Sequence, residues 1–253
     1  MSPRQVAVLL SAIVAVVGST LGSGAFGGTP IDQAAGGALD ADATLIAPAG
    51  PAFSIWGLIY AALLLLAVVQ ALPSRRHDAR LDAVGWWVAA SLLLNLAWIA
   101  VVQGGWLLLS LVVIAALTVV LVRTWALLRE RAASRAQLLT VDVPLGLYLG
   151  WVVAATAANA AAYVDAELFD VEVPYALLLL VVATGLSAGL ALAHRAGAAV
   201  AGATAWGAAW IAYGRLTGEP ASEVVGLVAI GAVVVLLVAG VVSLLRTRSP
   251  AVA

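Results

Sequence analysis

The chain has 253 residues, of which 64% are hydrophobic and only 10% charged, and its formal net charge is −1. A soluble domain carries about a quarter charged residues, so this composition excludes one and identifies a polytopic membrane protein. The near-neutral balance offers no footprint for nucleic acid, and the absence of Cys and Lys excludes disulfides, a thiolate nucleophile, a cysteine metal site and lysine imine chemistry.

The charges fall in short stretches between apolar runs of roughly 17 to 25 residues, the length that crosses a bilayer. Eight such runs predict eight helices, over residues 5–26, 51–72, 84–103, 106–128, 140–163, 173–193, 198–214 and 223–245. The first follows Arg4 and is longer than the apolar region of a signal peptide, and the Gly-rich segment after it is a poor match to a small-x-small cleavage site, so it is kept as a helix. Small residues four apart, Gly18 with Gly22, Gly146 with Gly150 and Gly185 with Gly189, predict close helix contacts.

The first connection, residues 27–50, is long and rich in Gly and Ala, which predicts either a mobile segment or a lid. It ends in Pro48 and Pro51; Pro is tolerated in a first helical turn, so the second helix starts near Pro51. Phe53, Trp56 and Tyr60 then recur at i, i+3 and i+7 on one predicted face. Two readings of that stripe stay open, a ligand site or helix packing with an interfacial anchor. Gln103, Gly104 and Gly105 make a link so short that the third and fourth helices are antiparallel neighbours. Trp86, Trp87, Trp106 and Trp125 stand at helix ends as interface anchors, and Trp206, Trp210 and Tyr213 read as packing or an outer aromatic belt in preference to a second site.

Sidedness follows from the twelve Arg residues. With a cytoplasmic amino terminus, eleven fall on the cytoplasmic side and only Arg215 outside, which predicts eight transmembrane helices with both termini cytoplasmic in a cell membrane. Arg123 and Asp142, near cytoplasmic helix ends, read as a structural pair or as snorkelling side chains. His77 and His194 read as solvated turn residues. With no ionisable group deep in the helices and no nucleophile beside a base, the pattern argues against a proton-driven pump, a metalloenzyme or any enzyme, and calls for no cofactor.

Uncharged polar groups remain. Asn95 and Trp98 lie one turn apart on the third helix; Trp151 and Asn159 lie near one face of the fifth; Phe53, Trp56 and Tyr60 occupy the outer half of the second. A buried Asn either bridges helices or lines a cavity. The shared depth of two Asn residues and several aromatics favours an apolar cavity open to the outer side, with a few polar contacts.

These residues resemble the TspO/MBR family, the tryptophan-rich sensory proteins related to the mitochondrial translocator protein. The family's prolines followed by F-x-x-V-W-x-x-L-Y resemble Pro48, Pro51, Phe53, Trp56 and Tyr60, with one residue fewer between Phe53 and Trp56. Its L-N-x-x-W is matched by Leu94, Asn95 and Trp98, and its Y-L-x-W with a later Ala and Asn by Tyr148, Leu149, Trp151, Ala155 and Asn159. The resemblance implies a five-helix core over residues 1–163 with a three-helix extension over 164–253. It implies a porphyrin ligand such as protoporphyrin IX, or a sterol or other flat apolar molecule, and a homodimer. In that site Trp56 forms an aromatic wall, Asn95 gives a polar contact, Trp98 stacks on the ligand and Ala155 keeps the fifth helix close. Two departures stand out: residues 27–50 hold no Trp, which speaks against light-dependent porphyrin degradation, and no basic residue follows Tyr163, so the family's sterol motif is missing. The function expected is a sensor or carrier; a transporter of a neutral or lipid-like solute and a structural subunit of a membrane complex are the alternatives.

Overall fold

The structure is a computed structural model that describes residues 1–22, 29–31, 33–169 and 172–248. The expected end of the first helix at 23–26, the start of the connection at 27–28, Asp32 and Asp170 lie outside the described residues. Every regular element among the described residues is helical. Eight are long: α1 (Pro3–Gly22), α2 (Ile55–Ala71), α3 (Ala79–Gln103), α4 (Leu107–Arg129), α5 (Arg135–Glu167), α6 (Val173–Leu192), α7 (Gly197–Thr217) and α8 (Glu223–Arg248).

Seven of these are long and apolar enough to cross a membrane; α7, the seventh of the eight predicted runs, is not among them. Its sequence, GAAVAGATAWGAAWIAYGRLT, puts Ala and Gly where the other helices carry Leu and Val. Val200, Thr204, Gly207, Ile211 and Gly214 are all buried along it. A helix faced mostly by protein gains more from small residues that admit neighbours than from bulk that suits lipid.

Two helices begin earlier than their apolar runs. The Asp78 carboxylate accepts from the backbone N–H groups of Arg80 and Leu81 and so starts α3 at Ala79. A capping box of Ser134 and Gln137 starts α5 at Arg135. The 33 residues of α5 span about 50 Å, well beyond a hydrocarbon core of about 30 Å, and include a π-helical turn at Leu138–Asp142. The cap at Asp78 brings the charged side chain of Arg80 inside a helix.

The chain forms two compact units, Met1–Leu39 with Trp56–Leu145, and Asp40–Ile55 with Gly146–Ala253. In the first unit α3 packs against α1 and against α4. Gly105 turns the chain between α3 and α4 at a φ of +76°, a conformation that suits Gly, and the short link makes the two helices neighbours as expected. Gly18 and Gly22 lie so close to Leu96 and Ile99 that a Cβ at either would collide with those side chains. Trp86 and Trp106 are exposed at their helix ends, where anchors belong, but Trp125 is only 2% exposed. It sits on the buried stripe of α4 with Leu117, Leu121 and Leu128, so helical periodicity and not its place near the helix end decides its surroundings.

In the second unit α6, α7 and α8 pack pairwise. Their core joins Leu180, Ile211 and Val225 to a series of Ala residues and to Ile46 from the first connection. Gly150 of α5 lies against the backbone of Val200 in α7, and the Thr204 hydroxyl donates to the Gly150 carbonyl at 2.8 Å. Gly185 and Gly189, by contrast, face open space, so the helix contact predicted from their spacing is not formed. The two kinds of glycine separate in a thermal melt of detergent-purified protein. Gly150→Ala, which drives a methyl into fixed backbone, destabilises by about 1–3 kcal/mol. Gly189→Ala, which gains helix propensity without a clash, is neutral or stabilising by up to about 1 kcal/mol.

Candidate functional site

The residues expected to form the site divide between the units: Trp56, Tyr60, Asn95 and Trp98 belong to the first, and Pro48, Pro51, Phe53, Trp151, Ala155 and Asn159 to the second.

In the first unit three helices supply one polar and aromatic cluster. Asn95 is buried on α3, and its amide donates to Ser19 Oγ of α1 at 3.3 Å and to the Tyr60 hydroxyl of α2 at 3.2 Å. The bridging reading of Asn95 is therefore realised, through a partner on α1 that the sequence reading did not include. Ser19 lay on an apolar run with no motif to mark it. Trp56 stacks on Tyr60, with ring centroids 5.0 Å apart and planes 23° from parallel. Trp98, almost one turn beyond Asn95, is 7% exposed, and its indole N–H meets no acceptor among the described residues. A buried donor left unmade costs about 1–3 kcal/mol, so this N–H is a strong recognition element for any acceptor that reaches it.

The opposite end of the same unit is charged. Arg80 donates to both Asp142 oxygens, at 2.7 and 2.8 Å, and to the Leu128 carbonyl at 3.3 Å, which ties the start of α3 to the end of α4 and the start of α5. Both side chains are buried, whereas Arg123 is exposed; Asp142 pairs with Arg80 and not with Arg123. Arg4 lies 2.9 Å from Asp82 and donates to the Arg75 carbonyl at 2.8 Å. Gln5 and Gln70 exchange bonds with each other's backbone at 2.8 and 3.1 Å. Fifteen residues of helix separate Arg4 from Ser19 and Arg80 from Asn95. That is about 22 Å between the charged end and the uncharged cluster.

In the second unit the first connection is a docked strap. Arg215, at the end of α7, donates to the carbonyls of Thr44 and Ala41 at 2.8 Å each and to that of Glu219 at 3.2 Å. The Ala49 N–H donates to the Trp210 carbonyl at 3.3 Å, and Trp206 Nε1 to the Ala52 carbonyl at 2.8 Å. Ile46 inserts into the core between these points. Residues 41–52 are thus neither a free loop nor an open lid. Arg215, which sidedness alone left as an outside residue, is 2% exposed. From the last turn of α7 it reaches carbonyls of the strap and of Glu219, a partnership that no motif in the sequence marks.

Phe53 stands in the 3-10 turn Gly50–Ser54 that precedes α2, so the α-helical spacing from Phe53 to Trp56 does not apply. Its ring meets Trp151 edge to face at 5.9 Å. Pro51 occupies the first positions of that turn, as expected of Pro. Trp151 and Asn159 are buried, Ala155 and Pro48 half-buried and Pro51 exposed. Trp206, Trp210 and Tyr213 form an edge-to-face ladder at 5.6 and 5.5 Å along α7. His194 is not solvated: its Nδ1 accepts from the Ala196 N–H at 3.0 Å and its carbonyl from the Ser243 hydroxyl at 2.9 Å, which locks the tight turn between α6 and α7. A cavity of about 20 Å³ lies among Ile46, Leu180, Thr204 and Ala208. That is far below the roughly 300–1,000 Å³ of a small-molecule pocket.

A family model described as TSPO-like protein matches residues 5–242, which takes in α1 to α7 and most of α8. No curated protein and no solved structure matches the chain.

Proposed function

The chain belongs to the TSPO-like protein family, and from that premise we propose that it binds a hydrophobic small molecule within the membrane, as a sensor or carrier and not as an enzyme. The ligand classes are a tetrapyrrole such as protoporphyrin IX or a sterol-like or lipid-like compound. In this reading all eight long helices are embedded in a cell membrane, both termini are cytoplasmic, and the protein works as a monomer or homodimer without a resident cofactor. Trp56, Tyr60, Asn95 and Trp98 of the first unit recognise the ligand.

The observation that carries the proposal is the uncharged cluster on α1, α2 and α3: a buried Asn bridging two hydroxyls, a stacked Trp–Tyr pair, and an indole donor with no partner among the described residues. Apolar walls with a few convergent polar groups are the mark of a small-molecule site. An absorbance titration of detergent-purified protein with protoporphyrin IX tests it. The expected result is a saturable shift of the main porphyrin band, with affinity falling about tenfold in Asn95→Ala, whose loss releases Tyr60 and Ser19 together. An unsaturable signal, or an affinity indifferent to Asn95, contradicts the proposal. Ligand-dependent flux in proteoliposomes would make the protein a transporter instead.

A further inference from the structure

The hydrogen-bonding inventory of the α1–α3 cluster says more than that a ligand binds there; it restricts the ligand's chemistry. Both N–H bonds of the Asn95 amide are already given, one to Ser19 and one to Tyr60. Trp98 contributes an indole Nε1, which donates and cannot accept, and which has no partner among the described residues. Neither charge nor titratable amine is present in the cluster. The buried cations of this unit, Arg4 and Arg80, stand fifteen residues away at the other helix ends, each held by a carboxylate and a backbone carbonyl.

We propose that this site selects a neutral ligand by one acceptor atom, a ketone, ester, amide or ether oxygen that takes the Trp98 N–H, and discriminates against a carboxylate at the same position. The inference rests on the binding function proposed above. A carboxylate could accept the same hydrogen bond, but its charge would be buried without a cation to balance it, and burying an unpaired charge costs far more than one hydrogen bond returns. A neutral oxygen satisfies the orphaned donor with no such cost. Trp98 is thereby a specificity-determining residue through its N–H, a role distinct from stacking by its ring.

The test compares protoporphyrin IX with its dimethyl ester, which keeps the ring and replaces two carboxylates by neutral esters, on full-length protein in detergent near neutral pH. The ester is expected to bind about tenfold or more tightly than the diacid. Trp98→Phe, which keeps an aromatic ring and removes the donor, is expected to weaken the ester about tenfold more than it weakens the diacid. Equal or tighter binding of the diacid overturns the inference while leaving the binding function in place. So does an ester affinity that Trp98→Phe does not alter. Failure of both porphyrins to bind any form of the protein overturns the binding function itself, and this inference with it. A thermal melt showing that Trp98→Phe keeps the wild-type midpoint separates lost recognition from lost folding.

Discussion

Asp142→Ala lowers the stability of the detergent-purified protein by about 3–5 kcal/mol, the largest single effect expected in the first unit. The substitution leaves the Arg80 guanidinium buried with the Leu128 carbonyl as its remaining partner among the described residues. The cost is that of an unpaired buried charge, not the net worth of the ion pair, and the two are distinguishable. Replacing both partners, Arg80→Met with Asp142→Leu, removes the charges together and recovers most of the loss, because buried pairs exchanged for apolar residues are often neutral or stabilising. A thermal or denaturant melt series on wild type, the single variant and the double variant reads this directly. If Asp142→Ala melts within about 1 kcal/mol of wild type, the pair is not the clamp of α3, α4 and α5 described here.

Arg215→Ala releases the strap. Three hydrogen bonds from a charged donor hold Ala41, Thr44 and Glu219, and losing them is expected to cost about 3 kcal/mol or more. The loss is local before it is global: amide hydrogen exchange over residues 41–52 rises while that of α3 and α4 stays at its wild-type level. Arg215→Lys recovers little, since an ammonium has the charge without the planar fork that reaches two carbonyls at once. Unchanged exchange over 41–52 in Arg215→Ala would show that Ile46 and the bonds from Trp206 and Trp210 hold the strap alone.

Both effects rest on residues that the amino-acid sequence shows but does not pair. Apolar runs predicted the helices well because bilayer length and composition constrain them strongly; they missed at polar ends and at the 3-10 turn before α2. The caps at Asp78 and Ser134 extend α3 and α5 into charged sequence, and the extension of α3 is what places Arg80 inside a helix. α7 shows the reverse limit: its length is legible, but hydropathy cannot distinguish a helix walled by protein from one facing lipid.

The site was legible in part for a related reason. Asn95, Trp98, Trp56 and Tyr60 announce themselves as polar or aromatic residues at helical spacing in aliphatic surroundings. Ser19 does not, since a hydroxyl in an Ala- and Val-rich helix looks the same whether it bonds back to its own turn or across to α3. Phe53 was assigned to the stripe of α2 by a period that begins only after the 3-10 turn that holds it. His194 was given to solvent because turns are usually wet, yet its ring accepts from the backbone at the start of α7, where free donors concentrate.

The most direct measurement is of what the protein carries out of its own membrane. Wild type and an Asn95→Ala, Trp98→Phe double variant are purified in mild detergent, stripped of phospholipid, and their organic extracts compared by mass spectrometry at equal protein. A neutral hydrophobic compound present near one per chain in wild type and strongly depleted in the double variant is the result predicted for a binder that recognises its ligand at the α1–α3 cluster. Extracts that do not differ, from two proteins that melt alike, would contradict it.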